Sequence, residues 1–550
     1  MRPFLTLHHP AAARRYYDQG VWRSDTFYGL MARHAVERSA APALQDGRRT
    51  LTWGELKGWV DGVAADLHAH GLVGGDRVSI WMSNRAEVVV MFLACSRLGL
   101  ACNPSLHRTY TCGEIGTLLQ RLSARALLTE DGWGADRSRV DLHAVLAGID
   151  TIKAVYTPQT LPAPAANHTE PCSDPDKVAY LAFTSGTTGT PKCVMHSDNS
   201  LLANARDLAR DWKHGPHTVL LSLSPLSHHI AWVGIAQWLL VGCRFVSNDP
   251  PAGKTVLDWI IDTGATYVMG VPTHAMDVLA QQKARGIERL GGVRVFYMAG
   301  APIPPSVAAG FVAQGIQPQN IYGMTENSSH QYTHPDDDTE ISVTTCGRGG
   351  PGYEVRVFDP ADRDRAVPVG EVGEVGGRGG ALMLGYFDNQ GATETSFNRD
   401  GWFMSGDLGL LDARGNLKVV GRSKDLIIRG GHNIYPAHIE ALALRHGQVA
   451  RVACFPVADE RLGERVCIAV TGGVAADELL GHLGREGLSK YDMPEFFVRL
   501  EEFPLTASGK ILKRNLVEMV KRGELAPVPV RFAPTDSTGP LSPRGEDVRP

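Results

Sequence analysis

The sequence predicts an α/β fold in which a large N-terminal domain, made of two α/β subdomains and a small β subdomain, is followed by a small α+β C-terminal domain. Three observations carry this. Buried-strand runs alternate with helical patterns through the first part of the chain, which favours parallel sheets covered by helices. Near Gly347 the texture changes to short strands and Gly-rich turns, and after Gly421 a separate α+β pattern begins.

In chain order, residues 77–82 read as a buried strand, 87–98 as a helix with a broad apolar face and 124–129 as a second strand. A Pro- and Ala-rich connection over 158–175 leads into a second α/β stretch with strands at 178–183, 218–223 and 294–298. Residues 352–358 and 370–375 supply strands of the β subdomain. The expected domains are 1–423 and 424–526, and residues 527–550, rich in Pro, Ser, Gly and charge, read as a disordered tail. No internal repeat of solenoid or propeller type stands out.

A chain of 550 residues, 43% hydrophobic and 21% charged, has room for a large catalytic domain and a smaller one. Its formal net charge of -4 supplies no global field for nucleic acid or an anionic membrane. The nine cysteines are odd in number and form no Cys-x-x-Cys pair, which suits a reducing compartment better than a disulfide framework. Residues 1–20 lack the apolar core of an export signal, and the longest apolar stretch, 231–243, is interrupted by Gln237 and too short to span a bilayer. The expectation is a soluble cytoplasmic protein with no integral membrane segment and no nucleic-acid partner; homodimerisation is compatible with it.

The strand at 178–183 empties into Thr184-Ser-Gly-Thr-Thr-Gly-Thr-Pro-Lys192. A polyphosphate needs many short donors converging on it. Gly186 and Gly189 let amide N–H groups turn inward, the hydroxyls of Thr184, Ser185, Thr187 and Thr188 add donors, and Lys192 adds charge. A Walker A loop does not fit: the two glycines are too close together, Lys192 follows a proline, and Cys193 stands where the Mg²⁺-binding Ser/Thr would be. Taken blandly, the segment is a Ser/Thr/Gly-rich surface turn, but the density of donors directly after a buried strand argues against that.

This segment resembles the phosphate loop of the adenylate-forming superfamily of acyl-CoA synthetases, peptide-synthetase adenylation domains and firefly luciferase, Thr-Ser-Gly-Ser/Thr-Thr-Gly-x-Pro-Lys-Gly. It matches through Lys192 and departs at Cys193. Further segments resemble the family in the same order: Ala299-Gly-Ala-Pro-Ile303, Asn320-Ile-Tyr-Gly-Met-Thr-Glu326, Trp402-Phe-Met-Ser-Gly-Asp-Leu408, Gly421-Arg-Ser-Lys-Asp425 with Gly430-Gly431, and Pro504-Leu-Thr-Ala-Ser-Gly-Lys510. Each alone would pass for a turn, a surface charge or a structural aromatic; their joint order over roughly residues 25–525 is specific.

The resemblance implies an AMP-forming acid:thiol ligase using ATP, Mg²⁺ and coenzyme A. It places Gly300, Ala301 and Pro302 along adenine and the acyl group, Asn320 and Gly323 among the cofactor-binding residues, Tyr322 stacked on adenine, Thr325 on the α-phosphate and Glu326 on Mg²⁺. Asp407 and Arg422 would hold the ribose, Lys424 would be the hinge of a mobile C-terminal domain, and Gly430 and Gly431 would flank the thiol channel. Lys510 takes the place of the catalytic lysine, with Lys192, Thr325 and Glu326 as the other catalytic groups. By family position His228, Trp232, Val271 and Ala299 line the acyl pocket, and the lack of a lysine or aspartate there suggests an uncharged tail; the subgroup most resembled is that of cyclohexanecarboxylate and short- or medium-chain acids.

Two other readings compete. A carrier protein could replace coenzyme A as acceptor, although an amino acid substrate would want an aspartate that residues 227–234 do not offer. A non-catalytic adenylate-binding homologue is opposed by the joint retention of Lys192, Glu326 and Lys510. An aminoacyl-tRNA synthetase would carry His-Ile-Gly-His or Lys-Met-Ser-Lys-Ser, and neither occurs.

Overall fold

The computed structural model describes residues 10–184, 191–505 and 511–532. The chain divides into two compact units that meet in sequence between Val420 and Gly421.

The first unit is built on two large sheets. One has the order Gly385–Tyr386, Lys192–Ser197, Val178–Thr184, Ala101–Asn103, Arg77–Trp81, Ala126–Thr129, Ala154–Tyr156, and its last five strands are parallel. The other runs Ser328–Tyr332, Gln317–Met324, Val295–Ala299, Tyr267–Gly270, Val219–Ser222, Arg244–Ser247, Pro42–Gln45, Thr50–Thr52, parallel except at its two edges. Side chains alternate between faces, as the period of a strand requires. Val78, Ile80, Tyr180 and Ala182 of the first sheet and Leu220, Phe245 and Tyr297 of the second enter one shared core. Their neighbours Trp81, Leu127, Leu181 and Phe183, and Leu221, Val246 and Phe296, enter two outer cores. Helices Phe27–Glu37, Trp53–Ala69, Ala86–Leu98 and His229–Val241 contribute to the shared core and so lie between the sheets. Several helix starts are set locally: Thr52, Thr111 and Thr255 cap with Glu55, Glu114 and Asp258 closing the reciprocal bond.

The strands expected from sequence are present with ends moved by a residue or two, except that the one expected at 370–375 is Gly373–Gly379. A turn in which the Glu371 amide bonds the Pro368 carbonyl holds the residues before it. This strand belongs to an antiparallel sheet ordered Asp362–Ala366, Tyr353–Asp359, Gly373–Gly379, Phe403–Leu411, Leu417–Arg422.

In the second unit Gly463–Gly472 pairs with Val449–Asp459, Ile427–Arg429 and Phe496–Arg499. Helices Pro436–Ala443 and Ala476–Arg485 cover one face through Ile439, Leu442, Leu479 and Leu483, and Lys513–Lys521 covers the other through Leu516. The tail expected from residue 527 onward starts instead as structure: Val528–Pro529 pairs with Phe496 and Phe497, and Val530 and Phe532 pack on the core. The prolines that suggested disorder are compatible with an edge strand. Among the described residues no helix is long and apolar enough to cross a membrane.

Candidate active site

Thr184 closes one strand and Lys192 opens its antiparallel partner, and the two are paired across the hairpin mouth. Ser185, Gly186, Thr187, Thr188 and Gly189, between them, lie outside the described residues. The mouth is fixed from outside: the Phe183 amide donates to Ser105 Oγ at 2.7 Å, and the Arg121 guanidinium donates to the Pro191 carbonyl while lying over the Phe183 ring. Cys193, the departure from the family pattern, already belongs to the returning strand; it faces the outer core beside Phe183, where burial pushes its thiol up to about 12. It is an inert packing residue there.

The strand Gln317–Met324 and its return Ser328–Tyr332 present a tight turn. Their register slips between Tyr322 and Met324. A Cβ on Gly323 would stand 1.7 Å from the Ser328 carbonyl oxygen, so only glycine allows the two backbones to approach this closely. Asn327 then closes the turn, its amide oxygen accepting from the Met324 N–H at 3.0 Å, which leaves Thr325 and Glu326 at the tip, partly open to solvent.

Two side chains hold this tip from beneath. His196 Nε2 lies 2.6 Å from the Thr325 carbonyl; a carbonyl only accepts, so Nε2 carries the proton and Nδ1 accepts from the Ser200 hydroxyl at 2.9 Å. Burial lowers this imidazole to about 4 and keeps it neutral. The Glu326 carbonyl accepts from the Met383 amide at 2.7 Å, and its carboxylate accepts from the Tyr386 hydroxyl at 2.9 Å. The Tyr386 phenol is pushed up by burial first and by the Glu326 charge second. Lys192 Nζ sits 4.4 Å from the centre of the same ring. Lys192 and Glu326, far apart in sequence, are thus brought to one aromatic side chain.

Tyr322, at the buried end of the strand, donates its hydroxyl to Asp407 Oδ2 at 2.8 Å. The Asp407 segment is shaped by Ser405, whose hydroxyl donates to the Val375 carbonyl at 2.7 Å and accepts from the Asp407 amide at 3.1 Å. Serine where the family has threonine keeps that hydroxyl. Glu374, gripped by Nε and Nη2 of Arg363, each at 3.0 Å, accepts from the Gly406 amide.

Asn320 is used internally: its amide nitrogen donates to the Ser342 and Thr345 carbonyls at 3.0 and 2.8 Å and its own amide to Thr333 Oγ1. The side chain therefore ties the strand to helix Thr339–Thr344. Gly300, Ala301 and Pro302 form an exposed run directly after Ala299, which ends the adjacent strand and pairs with Ile321. Of the acyl-pocket candidates, His228 precedes helix His229–Val241 and Val271 precedes helix Pro272–Arg285. Trp232 has 0% exposure: it packs against Phe92 and Tyr180 in the shared core and donates its indole N–H to the Leu226 carbonyl, so it faces the core in this conformation.

In the second unit Arg422 and Lys424 are exposed, and Gly430 and Gly431, with φ of 57° and 86°, make the two-residue turn of the hairpin Ile427–Arg429 and His432–Ile434. Lys510 lies outside the described residues.

Sequence reasoning missed His196, Tyr386 and His107, the last accepting from or donating to Ser227 Oγ at 2.9 Å beside His228. A histidine ending a buried strand just after the phosphate loop was a usable signal; Tyr386 hid in the apolar run 381–387, which reads as core. Among the described residues no group of three or more His, Cys, Asp or Glu is assembled to hold a metal. The partly exposed carboxylate of Glu326 fits Mg²⁺, which keeps its waters and is held by one or two carboxylates together with substrate phosphates.

Residues 31–387 match the family model described as AMP-binding enzyme, and residues 438–510 match the AMP-binding enzyme C-terminal domain. The chain is similar to the medium-chain fatty-acid–CoA ligase of Escherichia coli, 29% identical over 95% of each protein. It is also similar to a mitochondrial medium-chain acyl-CoA ligase of Homo sapiens, 30% identical over 89% of this chain and 86% of the relative. Among solved structures, the ATP-bound MatB of Rhodopseudomonas palustris superposes with a TM-score of 0.79 at 27% identity, covering 90% of this chain and 99% of that one.

Proposed function

The chain belongs to the AMP-binding enzyme family, and from that premise we propose that it activates a carboxylic acid with an uncharged, short- to medium-chain tail as its acyl-adenylate and transfers the acyl group to the thiol of coenzyme A. The enzyme is an AMP-forming acid:thiol ligase. The observation that supports the site assignment best is the meeting of Lys192 and Glu326 on Tyr386 at the mouth of the phosphate hairpin.

In the first step a carboxylate oxygen attacks the α-phosphorus of ATP and the bond to pyrophosphate breaks. Negative charge spreads over the phosphates and the entering acid, and fixed donors and cations are needed where it develops. Lys192 answers the charge on the phosphates, Thr325 donates its hydroxyl to the α-phosphate from a tip whose carbonyl His196 has fixed, and Lys510 approaches the entering oxygen. Glu326 would hold Mg²⁺, which when bound supplies further charge neutralisation on the phosphates. In the second step the thiol sulfur attacks the acyl carbon, the carbon–oxygen bond to AMP breaks, and the thiol proton is released. Gly430 and Gly431 are assigned to the thiol's path because a side chain there would obstruct a pantetheine arm. Lys424 is assigned as the hinge that separates the two steps, and 1–423 and 424–526 as the domains it joins. The free cysteines, seven of the nine buried, support a reducing compartment such as the cytoplasm.

The test is a pyrophosphate-release screen over aliphatic, alicyclic and aromatic acids, with and without coenzyme A, with the product identified by mass. A medium-chain or cyclic acid should give a CoA thioester. Acid-dependent pyrophosphate release whose product stays AMP-linked in the presence of coenzyme A would point to another acceptor, such as a carrier protein.

A further inference from the structure

Tyr386 is absent from the family segments that identify the site, yet it touches two of the groups assigned to the nucleotide's phosphates. The short strand Gly385–Tyr386 runs antiparallel to Lys192–Ser197, with Tyr386 opposite Val194. Its backbone is pinned by the Thr393 hydroxyl, which accepts from the Tyr386 amide at 2.9 Å, and its side chain is 5% exposed. The ring therefore cannot follow a ligand freely, and anything resting on it inherits its position. The hydroxyl holds Glu326 at 2.9 Å, and the ring face holds the Lys192 ammonium 4.4 Å from its centre. A phenol that donates to a carboxylate and offers its π face to an ammonium serves opposite charges with different parts of one rigid group.

We infer that Tyr386 is a positioning residue for the phosphate end of the site, an inference that rests on the assignment of Glu326 and Lys192 made above. Its hydroxyl orients the Glu326 carboxylate toward the Mg²⁺ that arrives with ATP, and its ring seats Lys192 beside the hairpin. Glu326 sits on a turn tip and Lys192 at a loop edge, so both side chains have rotamers to lose when the nucleotide binds. Fixing them beforehand lowers the entropic cost of binding.

The two functions separate by substitution. Tyr386→Phe removes the hydroxyl and keeps the ring; Tyr386→Leu removes both. Binding of a non-hydrolysable α,β-methylene ATP analogue is measured by calorimetry with and without Mg²⁺, so that the readout is independent of turnover. Tyr386→Phe should weaken binding of the Mg²⁺ complex about tenfold, the scale of one hydrogen bond to a charged group, and leave Mg²⁺-free binding unchanged. Tyr386→Leu should weaken both. In the double variant with Glu326→Gln, Tyr386→Phe should add nothing further, because the hydroxyl acts through that carboxylate. Unchanged melting of nucleotide-free Tyr386→Phe establishes that its fold is intact; if Tyr386→Leu does not fold, the phenylalanine variant and the double variant still decide the matter. Wild-type Mg²⁺ dependence in Tyr386→Phe together with an impaired Glu326→Gln would overturn the role of Tyr386 alone. Wild-type Mg²⁺ dependence in Glu326→Gln would overturn the metal assignment itself.

Discussion

The Tyr322 hydroxyl donates to the Asp407 carboxylate at 2.8 Å, joining the strand next to the edge of the eight-stranded sheet to the antiparallel sheet that carries Asp407. One residue is assigned to adenine and the other to the ribose, so the bond sets the distance between the two halves of the nucleoside site. Both side chains are buried, at 9% and 3% exposure, in a place where an unmade hydrogen bond is expensive.

Tyr322→Phe should therefore cost about 1 kcal/mol of stability through the donor lost to Asp407, and should raise the KM for ATP more than it lowers kcat. Asp407→Asn should weaken ATP binding further, since a charged acceptor for the ribose hydroxyls is replaced by a neutral amide. Denaturant unfolding and ATP titration at saturating acid measure the two effects. An ATP KM unmoved in Asp407→Asn would remove that residue from the ribose site.

Gly323→Ala places a Cβ 1.7 Å from the Ser328 carbonyl oxygen, a backbone atom that cannot step aside without opening the turn. A loss of about 3 kcal/mol is expected, with the Thr325–Glu326 tip displaced and adenylation reduced in proportion. Gly431→Ala is the internal control: its φ of 86° carries roughly 1 kcal/mol of strain, but no atom stands within 4 Å of the added carbon. Thermal unfolding of the pair should rank Gly323→Ala as clearly the worse.

His196 contributes to acid sensitivity with a definite sign. Its folded-state value is lowered to about 4 from an ordinary 6.5, so at intermediate pH the unfolded chain binds a proton that the folded one refuses. Its stabilising contribution is complete above about pH 6.5 and declines as pH falls toward 4, by about 2 kcal/mol between pH 7 and pH 5. His196→Gln can still donate to the Thr325 carbonyl but does not titrate. The stability of the variant, measured by denaturant titration at both pH values, should fall less than that of the wild type by about that amount; equal slopes would mean that His196 is protonated in the folded protein.

The half-reactions should come apart at opposite ends of the chain's C-terminal part. Lys510→Ala should lose acid-dependent pyrophosphate exchange yet convert a supplied acyl-adenylate to thioester. Gly431→Leu should keep exchange and lose thioester formation. Equal loss of both steps in Lys510→Ala would contradict its assignment to adenylation alone.

Local pattern was enough for much of this. Most of the parallel strands are largely buried and read as apolar runs, the change to an antiparallel texture near Gly347 is visible in its glycines, and the hairpin assigned to phosphate is marked by donor density after a strand. These depend on neighbours in sequence, and sequence displays neighbours. What only the tertiary structure decided are pairings between residues whose types have many uses. Tyr386 stands in no motif and bridges Lys192 and Glu326; Asn320 ties a strand to a helix through its side-chain amide; Trp232 packs in the core; Val528 lay in an apparent tail and extends a sheet. An aromatic or amide side chain carries no mark of which distant backbone or charge it will meet. Only the folding of strands many residues apart into one sheet edge gives it a partner, and with the partner its role.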